Sequence, residues 1–209
     1  YVPPGVANYV SPQLPDWASW TLEQRQAEAR RLLAEAGYTD ANPLKLEIKH
    51  RNSPDPTLFM PAIQADLKQV GIDLSLAQNE VQIAYAAYRA RDFEIADAGW
   101  VADYNDAMSF LYLNQSSAGA QNYGDYSNPA YDELLRKADN EPDAAVRAGY
   151  LSEAERIVLA DAPIVPVYFL NSSALVNPRV TGWVGNIIDH HRTRYLCLEG
   201  AAASDRGIN

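Results

Sequence analysis

The sequence predicts an α/β domain, and three observations predict it. Apolar residues alternate with polar ones at Leu44, Leu46 and Ile48, and again at Ile72, Leu74 and Leu76. A stretch of helical period lies between the two. The alternation of strand and helix then continues through residues 81–98. Strands that alternate with helices in this way form a sheet covered by helices.

The elements follow in order. Residues 1–20 carry Pro3, Pro4, Pro12, Pro15, Trp17 and Trp20, too many prolines for a helix or a central strand. An ordered loop with its aromatics packed on the domain is expected there. Thr21 and Gln24 form a capping box, Gly37 stands where a C′ glycine ends a helix, and strong helix formers lie between them. Leu22, Ala29, Leu32, Leu33 and Ala36 supply its apolar stripe. The strand at 44–48 has one wet face. The next helix carries Phe59, Ile63, Leu67 and Val70 on one side, stops at Gly71, and admits Pro61 only in its first turn. With the strand at 72–76 this makes a βαβ unit with parallel strands.

Val81, Ala84, Tyr85 and Tyr88 have helical spacing, and Phe93 to Ala98 reads as a third strand. Asn128 before Pro129 caps a further helix, and Asp143 a longer one. Ile164 to Leu170 reads as an apolar strand interrupted by Pro166, and residues 199–209 as a frayed tail.

Composition narrows the function. The 209 residues bury a sizeable core without disulfides, since roughly 70% of the chain's surface is buried at about this size. The lone cysteine, Cys197, has no internal partner and leaves cytoplasm and periplasm equally open. A net charge of −10, from 27 acidic and 17 basic residues, repels phosphate backbones and argues against nucleic acid. No apolar run approaches the roughly 18 residues of a membrane span. A start at Tyr1 and the lack of a signal-peptide pattern suggest a processed chain or a fragment.

No nucleophile elbow, phosphate loop, HExxH or CxxC motif occurs. His190 and His191 read as surface histidines on a polar loop, since neighbours on a strand face opposite ways and seldom share a metal. His50 gets the same reading. Asp97, Asp103 and Asp106 allow a carboxylate pair for acid–base hydrolysis, though acidic chains produce such spacings freely. Asp103 is the most informative of them. It follows the end of a strand, the side of an open α/β sheet that faces a ligand crevice. It pairs a ligand cation there or ties down a loop by accepting backbone N–H groups, and the residues alone leave both readings open. Gly99 permits close backbone approach, and Trp100 is suited to wall a pocket.

Several segments together resemble the C-terminal part of the extracytoplasmic oligopeptide- and dipeptide-binding proteins that serve ABC transporters. They are YVPPG (1–5), RQAEARRLLAEAGY (25–38), AIQADLKQVGIDLSL (62–76), DFEIADAGWVADYNDAMSFL (92–111), YSNPAYDELLRKA (126–138) and AERIVLADAPIVPVYFLNSSALVNPRVTGW (154–183). The resemblance covers about residues 1–198. It implies one lobe of a two-lobed periplasmic-binding-protein fold, a mixed sheet with flanking helices, that closes without catalysis on an oligopeptide. It implies that Asp103 pairs the peptide's α-ammonium, that Gly99 and Val101 offer backbone contacts, and that Trp100 lines the crevice. No cofactor or metal is implied. The implied partners are the transporter's membrane subunits and the N-terminal lobe of the same protein, with membrane contact only through the transporter. The implied location is the periplasm, or the outer face of a Gram-positive cell through a lipid anchor.

Residues 1–162 are expected to be the ligand-binding lobe, and 163–198 the segment that returns to the other lobe. In its absence, that segment is expected to pack on itself or on a second copy. Asp97 either biases the crevice towards basic peptides or is simply solvated. Another small solute, such as a nickel chelate or a sugar-linked compound, is the alternative ligand, and a small hydrolase the alternative class.

Overall fold

The computed structural model describes residues 1–9, 13–186 and 189–200. Helix α1, Leu22–Glu35, begins at the expected capping box: Thr21 Oγ1 accepts from the Gln24 N–H at 3.2 Å, and Gln24 Oε1 accepts from the Thr21 N–H at 2.8 Å. It ends at Gly37, whose φ of +90° lets the Gly37 and Tyr38 N–H groups close back on Ala34 and Leu33. The expected apolar stripe, however, is not buried: no residue of α1 is, and Leu22 and Leu32 are 68% and 51% exposed. The helix is tethered instead by polar contacts, Arg30 Nη2 to the Gln69 carbonyl (2.9 Å) and Gln26 Nε2 to Gln69 Oε1 (3.0 Å).

Strand β1 (Leu44–Arg51), helix α2 (Pro54–Lys68) and strand β2 (Ile72–Asn79) form the βαβ unit, in parallel register from Leu44 opposite Ile72 to Arg51 opposite Asn79. Ile48, Met60 and Leu74 are its buried centre. Pro61 is a correction. It lies eight residues into α2, because Pro54 and Pro56 occupy the first turn in its place. Its ring removes the N–H that would bond the Thr57 carbonyl. Pro61→Ala is therefore expected to raise stability by about 2 kcal/mol, read from chemical denaturation with an unchanged slope.

Helix α3 (Val81–Arg89) buries Ala84 and Tyr88, and the Tyr88 hydroxyl donates to the Lys49 carbonyl at 3.1 Å. The third strand is shorter than expected. Only Ile95–Ala96, β3, pairs with β1, followed by the Asp97 N–H on the Lys49 carbonyl at 2.9 Å. The sheet order is β2-β1-β3, all parallel, so β3 is an edge.

A second, larger core brings Val2 and Val6 together with helices α4 (Met108–Leu111), α5 (Pro129–Asn140) and α6 (Ala144–Asp161). Asn128 and Asp143 cap α5 and α6 as the sequence predicts, each accepting two N–H groups of the first turn.

Beyond α6, the strand expected over Ile164 to Leu170 does not form. Val165, Val167, Phe169 and Leu170 are exposed, and no strand among the described residues lies alongside them. An apolar run becomes a strand only when another strand meets its donors and acceptors, and Pro166 has no donor to offer. Ile164 packs against the larger core, and Tyr168 rests edge-on against Phe59. Among the described residues, 163–198 pack on themselves through a ribbon in which β4 (Val180–Thr181) pairs antiparallel with β5 (Cys197–Leu198), and through Trp183 stacked on His191. Of the expected tail, residues 201–209 lie outside the described residues, whereas the Glu199 N–H donates to the Arg179 carbonyl at 2.8 Å.

Candidate functional site

The open edge of the sheet leads directly to the candidate site. After Asp97 the chain leaves the ladder, and residues 98–102 make no backbone hydrogen bond among the described residues. Five successive peptide groups are thus left free at the margin of a parallel sheet. Such an edge is a template for an added strand. Gly99 and Val101, the residues singled out for backbone contacts, both lie on it and are exposed. Glycine at 99 is not demanded by the chain's own packing: a Cβ there would meet only Arg51 Nη2, at an ordinary 3.7 Å.

Asp103 ends this edge. Its N–H donates to Ser109 Oγ at 3.0 Å, and Ser109 is fully buried at the start of α4, so the backbone at 103 is pinned. Its carboxylate forms no hydrogen bond or ion pair with any described residue and faces solvent.

The other two acids behave differently. Asp97 is buried and receives Arg51 Nε at 2.9 Å, which corrects the reading of it as a solvated acid or as a lure for basic ligands. Asp106 accepts both terminal nitrogens of Arg147, at 2.7 and 3.0 Å, and also the Met108 N–H at 2.8 Å. A bidentate arginine pair of this kind fixes geometry as well as charge. With two of the three acids held by arginines, they do not form a free carboxylate pair.

Aromatic rings flank Asp103. Trp100 is half-buried, packed against the larger core and edge-on to Tyr112 with ring centres 6.0 Å apart. Its indole N–H is buried without a partner among the described residues. The Tyr112 phenol is shifted up, first by burial and next by the negative charge of Asp103. Tyr104 shifts the same way, from burial first and the Asp106 charge next.

The leading segment supports this loop from behind. The Ala7 N–H donates to Asn105 Oδ1 at 2.9 Å, and the Tyr1 hydroxyl to the Phe110 carbonyl at 3.0 Å. Behind that segment stands Glu155 of α6, a fully buried carboxylate. It accepts the Val2 N–H at 2.6 Å, the Gln13 N–H at 3.1 Å and the Tyr9 hydroxyl.

Sequence reasoning missed Ser109, Arg147, Arg51 and Glu155. Only Ser109 lies near enough in sequence to its partner for a local signal, and a serine six residues beyond an aspartate is too common to be one. Of the histidines, His190 is exposed on an irregular segment as expected, and His50 differs from expectation. His50 is buried, its Nδ1 3.1 Å from the Arg51 carbonyl oxygen. His191 stacks on Trp183 at 3.7 Å and contacts Asp189 at 2.9 Å. Among the described residues no group of three or more His, Cys, Asp or Glu is placed to hold a metal, and no helix is long and apolar enough to cross a membrane.

Comparison with known proteins places these features. Residues 2–122 match the family described as bacterial extracellular solute-binding proteins, family 5 Middle. The chain is 34% identical to the periplasmic oligopeptide-binding protein OppA of Escherichia coli over 186 residues, 88% of this chain and 34% of that protein. It superposes on the structure of Burkholderia pseudomallei OppA with a TM-score of 0.83 at 32% identity, covering 94% of this chain and 39% of that one. It superposes on Haemophilus influenzae OppA in complex with the peptide RPPGFSPFR with a TM-score of 0.79 at 34% identity, covering 90% and 37%. The chain therefore spans about a third of the length of the curated relatives it matches.

Proposed function

We propose, from the premise that the chain belongs to the bacterial extracellular solute-binding proteins of family 5, that it is a lobe of the substrate-binding component of an ABC peptide importer. The lobe captures oligopeptides in extended form and does no chemistry on them. The observation that carries this reading is the contrast among three aspartates: Asp97 and Asp106 are held by arginines, and Asp103 is left unpaired at the end of an open strand edge. A ligand laid along residues 98–102 pairs its main chain with the Gly99 and Val101 peptide groups and sets its α-ammonium on Asp103, while Trp100 forms the wall. Main-chain pairing ignores side-chain identity, which suits a carrier of many sequences.

Residues 1–162 form the ligand-binding lobe in this reading. Residues 163–198 run onto a second, N-terminal lobe, an assignment supported by the exposure of Val165, Val167, Phe169 and Leu170. The second lobe closes the crevice, the membrane subunits of the transporter receive the closed form, and the protein works in the periplasm or lipid-anchored outside the cell.

The test is chemical and needs no mutation. Calorimetry on the complete protein that carries this chain compares a peptide with its Nα-acetylated form. A charge-assisted hydrogen bond contributes about 1.5–3 kcal/mol, so acetylation is expected to weaken binding about 10- to 150-fold. Equal affinities reject the ammonium site.

A further inference from the structure

Among the described residues, three of the five that have positive φ without being glycine meet around one loop, 122–128. They are Arg91 (φ +58°), Asp125 (φ +51°) and Ala162 (φ +51°). A residue with a side chain is strained there, keeps that shape only where neighbours hold it, and is found most often at sites that move.

The loop supplies the neighbours. Arg91, in the turn between α3 and β3, is ion-paired with Asp125 at 2.6 Å. Tyr123 packs its ring against Tyr85 and Tyr88 of α3, with ring centres 6.5 and 5.8 Å away. Asn122 is buried and closes the loop on itself: Oδ1 accepts the Tyr126 N–H at 3.0 Å, and Nδ2 donates to the Tyr126 carbonyl at 2.8 Å. One side of the loop is thereby fixed to the α3–β3 unit that leads into the ligand edge.

The other side holds the end of α6. Asp161, the last residue of that helix, accepts the Tyr126 hydroxyl at 2.6 Å and the Asn128 side-chain amide at 2.8 Å, both on Oδ2. Ala162 follows, its N–H still on the Val158 carbonyl at 3.1 Å. Pro163 then lies over Gly124, where a Cβ would stand 3.8 Å from the Pro163 carbonyl oxygen. Capping of α5 does not require the tie to Asp161, because Asn128 caps with Oδ1 and reaches Asp161 with Nδ2.

We propose that loop 122–128 is a hinge brace, in which Tyr126 and Asn128 hold Asp161 so that the motion of a second lobe is taken up at Ala162 and Pro163, an inference that rests on residues 163–198 running onto that lobe. With Asp161 held, the last turn of α6 does not unwind as the lobe turns. The free protein then has few exit directions to give up when peptide closes the crevice. Preorganisation of this kind raises affinity without touching the ligand.

The test is Tyr126→Phe combined with Asn128→Ser in the complete protein, with alanine peptides of three to five residues as ligand. Phenylalanine keeps the ring that packs edge-on to Tyr131, 5.6 Å away, and serine keeps an N-cap acceptor for α5, so the two donors to Asp161 are what is lost. Small-angle X-ray scattering is expected to show a broader distance distribution for the free variant than for the free unsubstituted protein, and the same closed form for both at saturating peptide. Affinity is expected to fall about 5- to 30-fold, the effect of having to re-order one backbone residue. Nα-acetylation is expected to weaken binding by the same factor in both proteins.

A free variant that scatters like the unsubstituted protein overturns the proposal, whatever its affinity. So does a broader free state with unchanged affinity. A loss of affinity that shrinks the acetylation factor overturns it too, because the damage then lies at residue 103. If saturating peptide leaves the scattering of the unsubstituted protein unchanged, no second lobe closes and the reading beneath the proposal fails with it. Closure in that protein with no difference in the variant keeps the two-lobe reading and removes the brace alone.

Discussion

Asp103→Asn in the complete protein is expected to weaken binding of a free-amino peptide by about 2–3 kcal/mol, roughly 30- to 150-fold, with little change in folding stability. The two halves of this expectation have separate causes. Asparagine keeps the size of the side chain but removes the charge, and replaces one of the two acceptor oxygens with an NH₂ group that an ammonium cannot use. Folding is spared because the Asp103 carboxylate makes no bond within the described chain. Its tie to α4 runs through the backbone N–H and Ser109 Oγ, which the substitution leaves in place. Surface changes of this kind stay within about 0.5 kcal/mol in stability. A double-mutant cycle with the Nα-acetylated peptide isolates the pair. The acetylated ligand is expected to be nearly indifferent to the substitution, so the two losses do not add. Additive losses would mean that residue 103 acts on affinity by some route other than the ammonium. Asp106→Asn is the internal contrast. It leaves Arg147 without its bidentate partner, so its loss falls on stability rather than on discrimination between free and acetylated peptides.

That contrast between neighbouring aspartates was beyond the reach of the sequence, and the reason is distance along the chain. Signals written within a few residues were legible: the Thr21–Gln24 box, Gly37, Asn128 before Pro129, and Asp143 all do in the structure what their spacing predicts. The position of Asp103 was legible for the same reason, since a strand end and a glycine mark it locally. Asp97 meets Arg51 across 46 residues and Asp106 meets Arg147 across 41, so only the fold reveals which acids are already neutralised. The run Ile164 to Leu170 misled in the opposite direction. Its composition is that of a strand, but a strand is a relation between two segments, and no described segment supplies the second. Pro61 misled because α2 starts at Pro54, ahead of Phe59, the first residue of its apolar side.

Glu155→Ala is expected to destabilise the domain by about 3–5 kcal/mol, the range for removing one member of a buried, charge-assisted network. The carboxylate is fully buried on α6 and gathers the Val2 N–H, the Gln13 N–H and the Tyr9 hydroxyl, while the Tyr1 nitrogen lies 2.8 Å from Oε1. Alanine leaves the Val2 N–H and the Tyr9 hydroxyl facing the space that the carboxylate filled. Glu155→Gln is expected to cost less, because one amide oxygen still accepts, but its NH₂ group must face donors. Denaturant titration measures both, and hydrogen exchange at Val2 and Gln13 locates the damage. The consequence extends to the ligand edge. The segment that Glu155 secures is the one that donates from Ala7 to Asn105 and from Tyr1 to Phe110, so it fixes the turn and the helix on either side of which Asp103 and Ser109 sit. Loosening it gives the carboxylate more positions, which the bound state must then give up. Glu155→Gln is accordingly expected to lower peptide affinity several-fold even where the protein remains folded, with the acetylation effect reduced in the same proportion. Unchanged affinity in a measurably destabilised variant would show that the turn carrying Asp103 holds its shape without the leading segment.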